Sequence, residues 1–128
     1  DNAFVSDYLP GDKAAARASL MICNGGSLST YQAIQGGTPV LGIVGNLDQH
    51  LNMNHLACSG IGEALRSEYA DIDRIRDLAK QLLNEARYKD TAKKAQLAAQ
   101  NYDVKARLSE LIKNTLHPQT PKKSHNQK

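Results

Sequence analysis

Residues 19–44 read SLMICNGGSLSTYQAIQGGTPVLGIV and contain the clearest indication of the fold. This stretch begins with a short apolar run that is closed by Asn24-Gly25-Gly26, and it ends with a second apolar run, residues 39–44. Short apolar runs without alternation are typical of strands in a parallel sheet that is covered on both faces. Between them, residues 27–35 are predicted to form a helix that ends at Gly36-Gly37, because glycine is usual at that position. The stretch therefore predicts a strand–helix–strand unit.

The same alternation continues on both sides of this unit. Strand, helix, strand, helix in succession implies right-handed crossovers, so we predict an α/β fold: a Rossmann-like parallel sheet with helices on both faces, ending in helices. Upstream, the pattern predicts a strand over residues 3–9, a Pro10-Gly11 turn and a helix over residues 12–18 with Asp12 as its N-cap. Downstream, it predicts a helix over residues 48–59, a strand over residues 63–66, a helix capped by Asp71, and a helical region over residues 88–116 that is broken near Tyr102-Asp103.

Composition and charge restrict the class of protein. The 128 residues are 41% hydrophobic and 23% charged, and the formal net charge of +3 is too small to indicate a nucleic-acid partner. Cys23 and Cys58 form neither a disulfide framework nor a metal-binding spacing, so we expect two reduced thiols, no metal site and a cytoplasmic location. Residues 1–116 are interpreted as one domain, and residues 117–128 as a disordered basic tail.

The first candidate site is the turn Asn24-Gly25-Gly26-Ser27, together with Ser29 and Thr30. In doubly wound sheets, ligands bind outside the carboxyl ends of the strands. Glycine lets the backbone approach a ligand closely, and the first turn of a helix presents free N–H groups that suit a phosphate. The alternative is a plain strand-to-helix turn in which Ser29 and Gln32 form a capping box.

The second candidate site is Asp48-Gln49, directly after the apolar run of residues 39–44. A carboxylate beside a carboxamide offers hydrogen-bond acceptors and donors to a polyol. The alternative is that Asp48 only caps the helix that follows.

Joined in order, the two sites resemble the donor-site signature of UDP-sugar glycosyltransferases with the GT-B fold. That family includes bacterial macrolide glycosyltransferases, plant UDP-sugar transferases and UDP-glucuronosyltransferases. Its pattern is a His-x-Gly segment, hydroxyl residues and a Glu, a Gly-x-Pro strand, then Asp-Gln and a nearby Asn. Residues 24–52 read NGGSLSTYQAIQGGTPVLGIVGNLDQHLN, and Tyr8-Leu9-Pro10-Gly11 resembles the aromatic-x-Pro-Gln segment that opens the signature. The likeness covers residues 3–112.

The resemblance also implies roles for individual residues. Gln32 stands where the family usually has a Glu that binds the ribose, Asn24 where many members have a His, and Gly11 where a Gln commonly contacts the base. The implied contacts are the donor diphosphate for Asn24, Gly25, Gly26, Ser27, Ser29 and Thr30, the ribose for Gln32, and the donor sugar for Asp48 and Gln49.

The implied reaction is the inverting transfer of a sugar from a UDP-sugar to an acceptor hydroxyl, without a cofactor besides the donor. No catalytic residue is expected in this chain, because the family's general base belongs to its N-terminal acceptor domain, which we expect as a missing partner. The resemblance starts midway through the C-terminal domain, so we expect an incomplete sheet and no transfer by the chain alone. For the exposed edge we expect one of three outcomes: the N-terminal strand pairs with it, two copies of the chain pair edge to edge, or the segment fails to order. Two alternatives stay open: a UDP-sugar 2-epimerase-like fragment, against which the Asp48-Gln49 pair argues, and a nucleotide-sugar-binding subunit of a split glycosyltransferase.

Overall fold

A computed structural model of the chain describes residues 2–116 and shows one parallel sheet between helices. The strands lie in the order β1-β2-β3, with Ile22 opposite Leu41 and Leu41 opposite Glu63. The predicted α/β class is therefore confirmed, whereas the predicted tail, residues 117–128, lies outside the described residues. In chain order the elements are α1 (Gly11–Arg17), β1 (Met21–Cys23), α2 (Ser27–Gly36), β2 (Val40–Val44), α3 (Leu47–Cys58), β3 (Gly62–Arg66), a single 3-10 turn (Ser67–Tyr69), α4 (Ile72–Asn84), α5 (Ala86–Gln100) and α6 (Val104–Leu116).

The central strand β2 is buried on both faces, which explains its uninterrupted apolar sequence. Because side chains alternate along a strand, Val40 and Val44 point to one face and Leu41 to the other. The first face packs against residues of α2, α3 and α5, and the second against residues of α4 and the start of α5. Both faces of the sheet are thus covered by helices, as predicted.

A buried tyrosine connects β3 through hydrogen bonds to α4 and α5, the helices that cover the Leu41 face of the sheet. The Tyr88 hydroxyl donates to Glu63 Oε1, and it accepts hydrogen bonds from Gln81 Nε2 at 2.8 Å and from Arg87 at 2.7 Å. Burial, and then the hydrogen bond to Glu63, raises the pKa of Tyr88 above its ordinary value. The hydroxyl therefore stays protonated and joins β3, α4 and α5 through one buried group.

The predicted strand over residues 3–9 is wrong. These residues form no regular element, and the side chains of Phe4 and Val5 are 98% and 97% exposed. A strand needs a neighbour to pair with, and β1 pairs only with β2 within the described part of the chain. The sheet thus has a free edge at β1, where Ile22 is about half exposed, but the N-terminal segment does not cover that edge.

Helix boundaries follow the sequence more closely than the N-terminal strand does. Asp71 caps α4 as predicted, since its Oδ1 accepts from the Arg74 N–H at 2.8 Å, and the helical region after it breaks between Gln100 and Val104. Asp12 was expected to cap α1, but that helix begins one residue earlier, with Pro10 at the cap position. Every residue of α6 is exposed, including its apolar positions.

Candidate functional site

The two predicted sites lie at the same edge of the sheet. Strands β1 and β2 are parallel and end at Cys23 and Val44, so the loops that follow them leave the sheet side by side. Strand β3 ends at Arg66, which is paired with Val44, and the 3-10 turn follows there. The carboxyl edge therefore gathers three loops, of which the first two carry the predicted residues.

Gly25 is the point where the loop after β1 contacts helix α3, which carries the second predicted site. Its φ of +78° is a left-handed conformation that favours glycine, and the residue is buried. A Cβ at this position would lie 2.6 Å from Met53 Cγ and 3.4 Å from the Gln49 carbonyl oxygen, both on α3. The side-chain amide of Asn52 also approaches the Gly25 carbonyl oxygen at 3.4 Å. Folding thus brings together sites that are more than twenty residues apart in the sequence.

The first turn of α2 presents unpaired backbone donors. Gly26 is the N-cap and supplies no side chain, while its own N–H donates to Asn24 Oδ1 at 3.0 Å. Within residues 2–116, the N–H groups of Ser27, Leu28 and Ser29 have no hydrogen-bond partner. These donors and the positive end of the helix dipole form an arrangement that favours an anion.

The predicted capping box is wrong. Ser29 lies inside α2, because the helix already begins at Ser27 with Gly26 as its cap. The side chain of Gln32 lies instead against Gly11, where its amide fills the space that a side chain at position 11 would occupy. The alternative that assigned Ser29 and Gln32 to capping alone therefore fails.

The three hydroxyl residues of this turn differ in their surroundings. Ser27 is exposed and Ser29 is partly buried, whereas Thr30 is only 5% exposed. The Thr30 hydroxyl lies 3.1 Å from the carbonyl oxygens of both Gly26 and Ser27, to which it donates. Its direct contact in this structure is thus with the backbone of the turn, which it holds in shape.

The first turn of α3 is capped by Asn46 and not by Asp48. Asn46 Oδ1 accepts from the Gln49 N–H at 3.0 Å, and Gln49 Oε1 accepts from the Gly45 N–H at 2.8 Å. The alternative role of Asp48 as the helix cap is therefore wrong. The Asp48 carboxylate is exposed and has neither a hydrogen bond nor an ion pair among residues 2–116, so it is free to accept hydrogen bonds from a ligand.

Sequence reasoning missed the residues that support the site. Met53 is fully buried beneath Gly25 and also fills the space left by Gly42, yet its sequence position resembles any core position of a helix. Ser67 approaches Gly45 from the end of β3, with its hydroxyl 3.4 Å from where a Gly45 Cβ would lie. Its position directly after a predicted strand was a usable signal. No group of three or more metal-ligating side chains occurs in the described part of the chain, and His50 lies partly buried beside the Asp48-Gln49 pair.

Comparison of the sequence with known proteins finds glycosyltransferases, although no protein-family model matches the chain. The chain is 48% identical over 91 residues to the PGL/p-HBAD biosynthesis rhamnosyltransferase of Mycobacterium bovis. The aligned region covers 71% of this chain and 20% of that protein. The chain is 32% identical over 90 residues to human UDP-glucuronosyltransferase 3A1, covering 69% of this chain and 17% of that protein. The chain thus spans about a fifth of the length of the curated relatives it matches.

Comparison of the fold with solved structures also finds glycosyltransferases. The spinosyn rhamnosyltransferase SpnG superposes with a TM-score of 0.78 at 25% identity, covering 89% of this chain and 31% of that one. The glycosyltransferase VinC, solved in complex with dTDP, superposes with a TM-score of 0.80 at 22% identity, covering 88% of this chain and 29% of that one.

The relatives and the fold together show that the chain belongs to the glycosyltransferases of the GT-B type. Within that type, the chain fits the C-terminal domain of the group that includes UDP-glycosyltransferases and macrolide glycosyltransferases. The alternative of a UDP-sugar 2-epimerase-like fragment is not favoured. No helix within residues 2–116 is long and apolar enough to cross a membrane.

Proposed function

We propose that this chain is the donor-binding part of an enzyme that transfers a sugar from a nucleoside-diphosphate sugar to an acceptor hydroxyl. The observation that carries this proposal is the contact at Gly25, because it places the first amides of α2, which are unpaired among residues 2–116, next to the first turns of α3. One helix start offers donors for an anion, and the other offers a free carboxylate for sugar hydroxyls. A nucleotide sugar has both features at adjacent positions.

The chemistry follows from where charge develops. As the bond from sugar to diphosphate breaks, negative charge accumulates on the departing diphosphate. The amides of Ser27, Leu28 and Ser29 already point outward from a helix start, so they would stabilise that charge without rearrangement. Asn24 and the backbone of Gly25 and Gly26 would complete the diphosphate site. Thr30 would contribute by holding the turn.

The sugar and the ribose would contact separate residues. Asp48 would accept hydrogen bonds from sugar hydroxyls, and Gln49 would donate from Nε2, because its Oε1 is already bonded to Gly45. Gln32 is proposed as the ribose contact, and it lies beside Gly11 at the start of α1.

The acceptor and the base that activates it would belong to a separate N-terminal domain. We expect no further cofactor, and the cytoplasmic location stays a prediction.

The comparisons narrow the choice of donors to test. Relatives include proteins named for UDP-sugars and for rhamnosyl transfer, and VinC was solved with dTDP. We therefore propose a uridine or thymidine diphosphate donor, with UDP-sugars as the first candidates and a rhamnosyl donor as the second.

Self-association through the free edge of β1 is also proposed, and light scattering of the 128-residue chain tests it.

NMR titration of the chain with UDP and with dTDP tests the site directly. We expect chemical-shift changes at the amides of residues 24–30, because the diphosphate would bind there. Uridine, which lacks the diphosphate, is the matched control and should leave the amides of Ser27, Leu28 and Ser29 unchanged. Changes confined to α4, α5 and α6 would contradict the proposal.

Substitution of Asp48 distinguishes binding of the donor sugar from binding of the diphosphate. In the parent enzyme, Asp48→Ala should weaken binding of the nucleotide sugar by about 1.5–3 kcal/mol, the usual contribution of a hydrogen bond to a charged group, and affect UDP less. The control is Asp77→Ala, since Asp77 is exposed on α4, far along the chain from both loops. Calorimetry with UDP and UDP-sugars measures both affinities, and an equal loss for the two ligands would refute the role of Asp48.

A further inference from the structure

We propose that Asn52 and Met53 are positioning residues, which fix the Gly25-Gly26 turn against α3 and so orient the amides of the diphosphate site. They contact no ligand themselves. The inference rests on the proposed function, because it assigns these residues to the same site, but the position of the turn can be measured without a ligand.

Packing beneath the turn supports this proposal. Gly25 is buried, and a Cβ there would lie 2.6 Å from Met53 Cγ and 3.1 Å from Val44 Cγ1. Met53 is 0% exposed and fills the space above Gly42 as well. The methionine therefore occupies the volume that two missing side chains leave free, and the turn rests directly upon it.

Hydrogen bonding to the turn supports the same proposal. The Gly25 N–H donates to Cys23 Sγ at 3.4 Å and the Gly26 N–H donates to Asn24 Oδ1 at 3.0 Å, and each acceptor lies two residues before its donor. These local bonds shape the turn but cannot place it relative to α3. The contact from Asn52 Nδ2 to the Gly25 carbonyl spans 27 residues and joins the turn to α3.

The consequence is a coupling between the two halves of the donor site. Helix α3 carries Asp48 and Gln49 on its first turn, and Asn52 and Met53 on its second. The element that presents the sugar-binding residues thus also supports the diphosphate turn. Substitution at Asn52 should therefore change diphosphate affinity although the side chain lies outside the set of residues proposed to contact the donor.

The test compares Asn52→Asp with Asn54→Asp in the 128-residue chain. A carboxylate at position 52 cannot donate to the Gly25 carbonyl and repels it. Asn54 undergoes the same chemical change on the same helix, but it is exposed, and within residues 2–116 its side-chain oxygen accepts a single hydrogen bond, from Cys58 Sγ at 3.9 Å. We expect Asn52→Asp to weaken binding of UDP and dTDP about fivefold to tenfold and to shift the Gly25 and Gly26 amide signals without ligand. Asn54→Asp should do neither.

A second pair of variants keeps the test decisive if Asn52→Asp does not fold. Asn52→Ala removes the donor without adding charge, and Met53→Leu conserves volume while changing the shape beneath Gly25. Both should shift the Gly25 and Gly26 signals and lower nucleotide affinity. Wild-type affinity and unshifted turn signals in the folded variants would overturn the proposal. If the wild-type chain binds neither nucleotide, the proposed function fails, whereas the ligand-free signals of Gly25 and Gly26 still decide whether Asn52 positions the turn.

Discussion

Helix α2 is flanked by two Gly-Gly pairs, Gly25-Gly26 before its first turn and Gly36-Gly37 at its end. The second pair is enclosed: Gly36 packs on the backbone of Ala15, and Gly37 adopts a φ of +67° as the C-cap. The carbonyls near it are paired, for example Gln35 with the side-chain amide of Gln96 at 2.8 Å. At the first pair, by contrast, the amides that follow are unpaired within the described residues.

The difference shows that the structural role of a Gly-Gly pair depends on which end of the helix it occupies. At the C-terminus of α2, glycine allows close packing and completes a cap, and the carbonyls of Ala33, Ile34 and Gln35 accept hydrogen bonds within the fold. At the N-terminus, glycine supplies no side chain that would cap the amides, and they remain available to a ligand. The same dipeptide therefore serves stability at one end and, in our proposal, binding at the other.

The largest expected effect is loss of stability on Gly36→Ala. The added methyl would lie 2.7 Å from the Ala15 carbonyl carbon and 2.9 Å from its oxygen, so two helix backbones would have to separate. We expect the free energy of unfolding to fall by about 3 kcal/mol, as for overpacked cores. Urea denaturation measures this, with the exposed neighbour Gln35→Ala as control. Stability equal to that of the control would show that α1 can move away at little cost.

Gly25→Ala should reduce both stability and nucleotide binding. The left-handed φ and the contact with Met53 together predict a loss of about 2 kcal/mol, and the displaced turn should no longer bind UDP. Gly45→Ala is the matched control in the other loop, because the nearest atom to its added methyl is 3.4 Å away and its φ is not positive. Retained UDP affinity in Gly25→Ala would contradict the importance of this turn. Urea denaturation and calorimetry give the two measurements.

Two buried threonines allow a matched comparison between the ends of α2. The Thr38 hydroxyl donates to the Ala15 carbonyl at 2.5 Å, and the Thr30 hydroxyl donates to the Gly26 carbonyl at 3.1 Å. Thr38→Val and Thr30→Val should each lower the free energy of unfolding by about 1–2 kcal/mol. Only Thr30→Val should also weaken UDP binding, because Thr30, unlike Thr38, bonds to the backbone of the turn at which we propose that the diphosphate binds. An equal effect of both variants on UDP affinity would contradict a specific role of the N-terminal end of α2 in nucleotide binding.

The smallest expected effect is a gain of affinity in Asn24→His. Asn24 is exposed, so an imidazole should be tolerated, and its positive charge beside a diphosphate is favourable. We expect UDP to bind about twofold tighter at a pH below about 6.5, where histidine is ordinarily protonated, and the gain to disappear at higher pH. Calorimetry on both proteins at two pH values measures this. Weaker binding by the histidine variant at low pH would argue that Asn24 serves mainly as the partner of the Gly26 N–H.

Elements whose signals are local could be predicted from the amino-acid sequence. The apolar run of β2, the Gly37 cap and the Asp71 cap each depend on residues a few positions apart, and all were predicted. The edge of the sheet that carries both predicted sites was also predictable, because the carboxyl ends of parallel strands lie together. What the predicted site residues bind stays a prediction.

Features that depend on residues far apart in the chain became evident only in the folded structure. Residues 3–9 have the composition of a strand, yet no strand within the described residues lies beside them, so their backbone joins no sheet. Asn46 and Asp48 both suit a helix cap, and the choice of Asn46 appears only in the geometry of its bond to Gln49. The support of Gly25 by Met53 could not be foreseen either, because burial and close packing depend on where residues far apart in the chain meet in space.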